Sequence, residues 1–289
     1  MPKPPFRPFK PAGAGRRKKA VKATQRASPE AFPDKDAAGQ FLFQIILPPS
    51  LRWSFISVGK SASTSTLHAL YEAEFGHPLT ADLTPLHDIN PDAAIHTLPE
   101  HGIFGRALHQ GLSMPDLLAL PQLEQRICVV RDPLERAISG FRYICKSHHL
   151  KARWFARERF EMDAAVGFDW DRHTDTVQGF ERFLAFLAWQ MDASGVDRLN
   201  GHWRPQTAFI KPEVYRPTLI GRMEDVPAYF KALSAQLGAA PRGAEYRKNP
   251  QADMDISVFC SPAARRHCAE IFAPDYEAFE YASPLPGPD

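Results

Sequence analysis

Trp53-Ser54-Phe55-Ile56-Ser57-Val58 runs directly into Gly59-Lys60-Ser61-Ala62-Ser63-Thr64-Ser65, and this junction sets the fold class. The first six residues are apolar or β-prone and predict a buried strand; the small polar residues after them predict a sharp turn. Beyond the turn, Leu67, Leu70, Tyr71 and Phe75 recur at helical spacing. The same grammar returns at Arg126-Ile-Cys-Val-Val-Arg131, a second strand. Asp132-Pro133 then opens a helix with proline in its first turn and Ala137, Ile138, Phe141 and Ile144 as the inward stripe. Further on, residues 178–191 read as an amphipathic helix and Pro217-Thr-Leu-Ile-Gly221 as a short strand. Pro227–Leu237 and Pro262–Phe272 read as late helices. Strands alternating with helices predict an α/β fold, a P-loop-like three-layer sandwich whose central, mainly parallel sheet is flanked by helices.

The loop Gly59–Ser65 has the composition of an oxyanion cradle. Its small residues let the backbone turn, the N–H groups opening the next helix point outward, Ser61, Ser63 and Thr64 add hydroxyls, and Lys60 adds a charge. A nucleotide-triphosphate loop, G-x-x-x-x-G-K-[ST], matches in its second half only, because Ser54 stands where the first glycine belongs. Arg131 closes the second strand, the place where open α/β sheets bind ligands, and Ser139 follows about two turns into the helix. Arg131 has an alternative partner in Asp132 or Glu135; for Arg136 and Arg142 the alternative is a solvated helix face, the preferred reading for Arg142. Two anion sites at the carboxyl ends of two strands suit a ligand with phosphates at both ends.

Composition narrows the classes. The chain has 289 residues, 44% hydrophobic and 24% charged, which is long enough for a sizeable core and ordinary for a globular protein. The net charge of +2 conceals an asymmetry. Residues 1–26 carry nine Lys or Arg and no acid, so the other 26 basic residues stand against all 33 acidic ones, a net of −7. Residues 1–36, basic and proline-rich, are expected to be a disordered tail that contacts an anionic surface, with one domain over residues 37–289. Four cysteines without a Cys-x2-Cys pair point to free thiols and a cytoplasmic setting. The longest apolar run, Phe41–Leu47, is too short for a transmembrane segment, and no metal-ligand spacing appears.

The paired motifs resemble the sulfotransferases that use 3′-phosphoadenosine 5′-phosphosulfate (PAPS). Lys60, Ser61, Thr64 and Ser65 fall on positions of their 5′-phosphosulfate loop, with Gly59 in place of the usual proline and Ala62-Ser63 in place of the usual small pair. Arg131 and Ser139 have the spacing of their 3′-phosphate motif. Phe180-Glu-Arg-Phe-Leu, Gly201-His202-Trp203-Arg-Pro-Gln206, Pro217-Thr-Leu-Ile-Gly-Arg222-Met-Glu224-Asp225 and Phe272-Ala-Pro-Asp275-Tyr276-Glu-Ala-Phe-Glu-Tyr281 are similar to landmarks of the Golgi carbohydrate sulfotransferases that modify chondroitin, dermatan and the HNK-1 glycan. The resemblance spans about residues 53–282 and implies a soluble bacterial relative.

That resemblance implies PAPS as co-substrate without a metal, and a carbohydrate or other hydroxyl-bearing acceptor walled by residues 76–121, 145–177 and 193–216. It implies Lys60 at the leaving group and residues 61–65 on the phosphosulfate. Arg131, Ser139 and the basic pair Arg247 and Lys248 would take the 3′-phosphate. His96 is the candidate base, with His101 and His109 as alternatives; His202 is read as an anchor of the acceptor wall and Glu224 as a tie on a strand end. Two other readings stay open. Gly59-Lys60-Ser61 with Asp132 after an apolar strand suits a P-loop kinase, and the basic tail suits a non-catalytic nucleic-acid-binding protein.

Overall fold

The computed structural model describes residues 8–79, 95–238 and 256–285. In chain order the elements are α1 (Ala14–Ala27), α2 (Lys35–Gln44), β1 (Ile45–Leu47), β2 (Trp53–Ile56), α3 (Ser63–Phe75), β3 (Gly105–Arg106), α4 (Ala107–Gln110) and α5 (Met114–Ala119). They continue with β4 (Gln125–Val130), α6 (Pro133–His149), α7 (Ala156–Val166), α8 (Val177–Ser194), α9 (Gln206–Ile210) and α10 (Pro212–Tyr215). Last come β5 (Leu219–Arg222), α11 (Val226–Leu237), α12 (Pro262–Ile271) and α13 (Ala273–Ala278). Among the described residues no helix is long and apolar enough to cross a membrane.

The five strands are ordered β3-β1-β2-β4-β5 in one mixed sheet. β2 and β4 pair in parallel, with Ser54 opposite Arg126, and β4 pairs in parallel with β5. β1 runs antiparallel to both of its neighbours, which corrects the expectation of a mainly parallel sheet. The cause is the short link Pro48–Arg52 between β1 and β2: a parallel pair needs a crossover of a dozen residues or more.

Strand residues alternate between two helical layers. Ile45, Leu47, Ile56, Cys128 and Val130 face a core shared with α2, α5, α9 and α10. Ile46, Trp53, Phe55, Ile127 and Val129 face α3 and α11. Trp53 is therefore core. A third cluster joins α6 to α8, α12 and α13 through Phe141, Phe180, Phe183 and Trp203.

The stretch expected as a disordered tail contains an ordered helix. Ala20 and Thr24 of α1 are buried, Val21 packs beside them, and Thr24 Oγ1 accepts a hydrogen bond of 3.0 Å from the Met114 N–H at the start of α5. Ahead of it, Phe9 N–H donates to Gly102 O at 2.8 Å. The cations lie outside: Arg16, Lys18, Lys19, Lys22 and Arg26 are exposed. Small residues on one face and bases on the other let the helix dock although its composition is that of a solvated arm.

Thr24→Ala leaves a buried N–H without its acceptor and is expected to cost about 1–3 kcal/mol in urea unfolding; a disordered segment would give no change.

Candidate functional site

β2 delivers the chain into the loop at the edge of its buried face. Lys60 and Ala62 both adopt left-handed backbone, with φ of 68° and 50°, and α3 begins at Ser63 with no side chain capping its first turn. The N–H groups of that turn and the positive end of the helix dipole are thus left for a ligand. Ser61 and Ser65 are buried. Thr64 Oγ1 lies 3.1 Å from His96 Nε2, so the structure brings His96 to this loop.

On the neighbouring strand, Arg131 leaves β4 and Asp132 caps α6 by accepting the Glu135 N–H at 2.9 Å. The Arg131 guanidinium meets Glu135 Oε2 at 3.0 and 3.3 Å, one of the two alternatives that the sequence allowed. Ser139 is buried on α6. Glu224 does tie a strand end, accepting the Asp132 N–H at 2.6 Å and the Tyr281 hydroxyl at 3.0 Å.

Gln206 links the two halves. Its Oε1 accepts from Ser61 Oγ at 3.3 Å and from the Arg131 N–H at 2.9 Å, while its Nε2 donates to Arg131 O at 2.8 Å. Gln206 is held in turn by Asp275, fully buried, whose carboxylate accepts the N–H groups of Gln206 and Thr207 at 2.7 and 2.8 Å. Both residues belong to the landmark segments, but nothing in the sequence assigned them this part.

Arg136 does not take the solvated helix face that was its alternative. It is 1% exposed, and its guanidinium donates to Gly59 O at 3.0 Å, Arg204 O at 2.8 Å and Gly201 O at 3.1 Å. One side chain thereby fastens the anion loop to segment 201–204. Close approach needs glycine at two contacts: a Cβ on Gly59 would stand 3.0 Å from Gly201 O, and one on Gly140 3.2 Å from His202 O. Gly140 lies one turn after Arg136 on the same helix face, and that pairing is the signal the sequence offered.

The site is strongly cationic. Burial first, and then the charges of Arg131, Lys146, Arg142 and Arg136, lower the Lys60 ammonium from 10.5 to about 7. Lys60 Nζ rests 4.0 Å from the centre of the Tyr143 ring, a cation–π contact. His202 stacks on the same ring at 5.2 Å between centroids. Burial and the charges of Lys60, Arg136 and His96 lower His202 to about 3; burial, His68 and Arg106 lower His96 to about 4. Both imidazoles are neutral at pH 7.

Other candidates lie elsewhere. His109 packs against Phe43 and His101 is exposed on a turn. Arg247 and Lys248 fall outside the described residues. Arg142 is partly buried and adds its charge to the field at Lys60, unlike the solvated position expected of it.

The sequence matches the model of the Sulfotransferase family over residues 46–282, which takes in the Lys60 loop, Arg131, Arg136, the His202 segment and Asp275. No curated protein and no solved structure matches the chain.

Arg136→Lys cannot reproduce a three-way fork and leaves buried carbonyls unmet. It is expected to lower stability by about 2–3 kcal/mol, read from the urea midpoint; an unshifted midpoint would show the clamp to be idle.

Proposed function

This chain belongs to the sulfotransferase family, and we propose that it transfers a sulfuryl group from PAPS to a hydroxyl of a carbohydrate acceptor, as a relative of the Golgi carbohydrate sulfotransferases. The observation that carries this reading is the joined pair of anion sites: Ser61 and Arg131 held on one Gln206, with Lys60 inside the field of four further cations. A P-loop-like three-layer sandwich is the arrangement that goes with it. The four cysteines form no disulfide, which suits a cytoplasmic setting.

Sulfuryl transfer, like phosphoryl transfer, needs positioning and charge stabilisation more than covalent help. The residues present fit the co-substrate. The uncapped first turn of α3 with Ser61, Ala62, Ser63, Thr64 and Ser65 would hold the 5′-phosphosulfate. Arg131 and Ser139 would hold the 3′-phosphate, helped by Arg247 and Lys248. Lys60 would face the bridging oxygen, compensating the charge that develops there as the bond to sulfur breaks. His96 accepts the acceptor's proton in the reading that the family resemblance implies, or fixes the Thr64 hydroxyl to which it is bonded. The exposed Trp154 and Phe160 lie in the segment expected to wall the acceptor.

The P-loop kinase reading is disfavoured by Ser54, which is buried within β2 with its Oγ 2.9 Å from the Tyr215 hydroxyl. The loop therefore lacks the leading turn of a triphosphate cradle. The bases of α1 are proposed to meet an anionic surface while the enzyme works.

Two measurements test the reading. In calorimetry with 3′-phosphoadenosine 5′-phosphate, Arg131→Ala should weaken binding more than tenfold, as expected for a charge-assisted contact of about 1.5–3 kcal/mol; stronger binding of ATP than of the bisphosphate would refute the proposal. The second uses protons. A polyanion beside Lys60 raises its pKa above the free value of about 7, so binding at pH 8 takes up a proton and affinity falls as pH rises from 7 to 9. Lys60→Met should abolish both effects, and proton release at pH 8 would contradict the assignment.

A further inference from the structure

The segment Asn200–Arg204 holds an imidazole whose tautomer is fixed by its neighbours. Glu158, in the first turn of α7, accepts a hydrogen bond of 2.8 Å from Asn200 Nδ2. A carboxylate can only accept, so the amide nitrogen of Asn200 must face Glu158 and its oxygen must face the other way. That oxygen lies 2.8 Å from His202 Nδ1 and also accepts the His202 N–H at 3.1 Å. An oxygen without hydrogen can only accept from the ring, so Nδ1 carries the proton and Nε2 carries a lone pair. Among the described residues Nε2 has no hydrogen-bond partner. The ring is clamped flat on Tyr143, at 21° between planes, and edge-on to Phe155, with centroids 5.0 Å apart.

The place is right as well as the tautomer. Tyr143 is the shared neighbour of the His202 ring and of the Lys60 ammonium, 4.0 Å from its centre. His96 also reaches this loop but differs at its ring nitrogen. Its Nε2 is already engaged by Thr64, a hydroxyl of the anion loop.

We propose that His202 takes the acceptor's proton, and that Asn200 and Glu158 are positioning residues that hold its Nε2 ready. The inference rests on the sulfotransferase reading above and adds the proton acceptor to it. In the step, the acceptor oxygen forms a bond to sulfur as the bond from sulfur to the bridging oxygen breaks. The electron pair of the broken bond passes to the 5′-phosphate, beside Lys60. The hydroxyl proton passes to His202 Nε2, and the imidazolium returns it to water.

The charged and titratable groups around the ring are Lys60 from the anion loop, Arg136 from α6, His96 from the turn at residues 95–97, and Glu158 behind Asn200. Free of ligand, burial first and then the two cations hold the imidazole far below its usual range. A bound polyanion offsets the charge of Lys60 and lifts His202 toward it, so the base gains strength only when the donor is in place. His96 is depressed by burial first and then by His68 and Arg106, neither of which belongs to the Lys60 loop.

The test uses the full chain in two arms. Nitrogen-15 NMR with 3′-phosphoadenosine 5′-phosphate bound should show His202 neutral, with the proton on Nδ1, and Asn200→Ala should lose that preference. Turnover is followed as sulfate released from PAPS to water. His202→Ala should lose at least 100-fold while bisphosphate affinity stays within threefold, added imidazole should restore at least tenfold, and Asn200→Ala should lose about tenfold in kcat with KM unchanged. A proton on Nε2, full turnover in His202→Ala, or imidazole rescue confined to His96→Ala would overturn the inference while leaving the parent reading intact. Wild-type protein that binds neither nucleotide would remove both.

Discussion

One guanidinium holds the site in shape. Arg136 is buried in α6 and spends its donors on the carbonyls of Gly59, Gly201 and Arg204, so the strand-loop-helix around Lys60 and the segment carrying His202 share a single anchor. The partners are neutral. Their oxygens satisfy the N–H groups without cancelling the charge, and that charge still acts on its surroundings, appearing in the lowered values of both Lys60 and His202. The nearest compensation is the buried carboxylate of Asp275, which is felt at Arg136 but spends its hydrogen bonds on α9.

The connectors follow the same logic. Gln206, an amide, joins Ser61 to Arg131 where a carboxylate would have offered similar oxygens and quenched the field. Glu135 is the exception, paired with Arg131 at the rim, where water weakens such pairs. A chain that is acidic beyond its first 26 residues thus concentrates positive charge at one pocket, by burying the cations and keeping the acids one shell away.

The parts legible in the sequence were those written in local periodicity. Trp53–Val58 and Arg126–Arg131 alternate apolar faces over consecutive residues, and the stripe Ala137, Ile138, Phe141, Ile144 repeats at helical spacing, so strands, loops and helices could be placed around Lys60, Arg131 and Ser139. What escaped depends on distance along the chain. The Arg136 partners lie 65, 68 and 77 residues away, and an arginine on a helix defaults to solvent unless they are known. Helix α1 escaped for a different reason: its buried face is made of Ala20 and Thr24, too small to register as a hydrophobic stripe beside so many bases. The direction of β1 was hidden because the run Phe41–Leu47, apolar except for Gln44, divides between the end of α2 and the strand.

The parallel pairing of β2 with β4 has a metric consequence. Neighbouring strands lie about 4.8 Å apart, a spacing set by backbone hydrogen bonds and insensitive to side chains. The Lys60 loop and Arg131 hang from the same ends of those two strands, and Gln206 spans the gap between them. The sheet therefore acts as a calliper with fixed jaws. It fixes the separation between the Lys60 loop and Arg131, and lengthening either jaw by one residue would change that gauge without altering the chemistry at its tips.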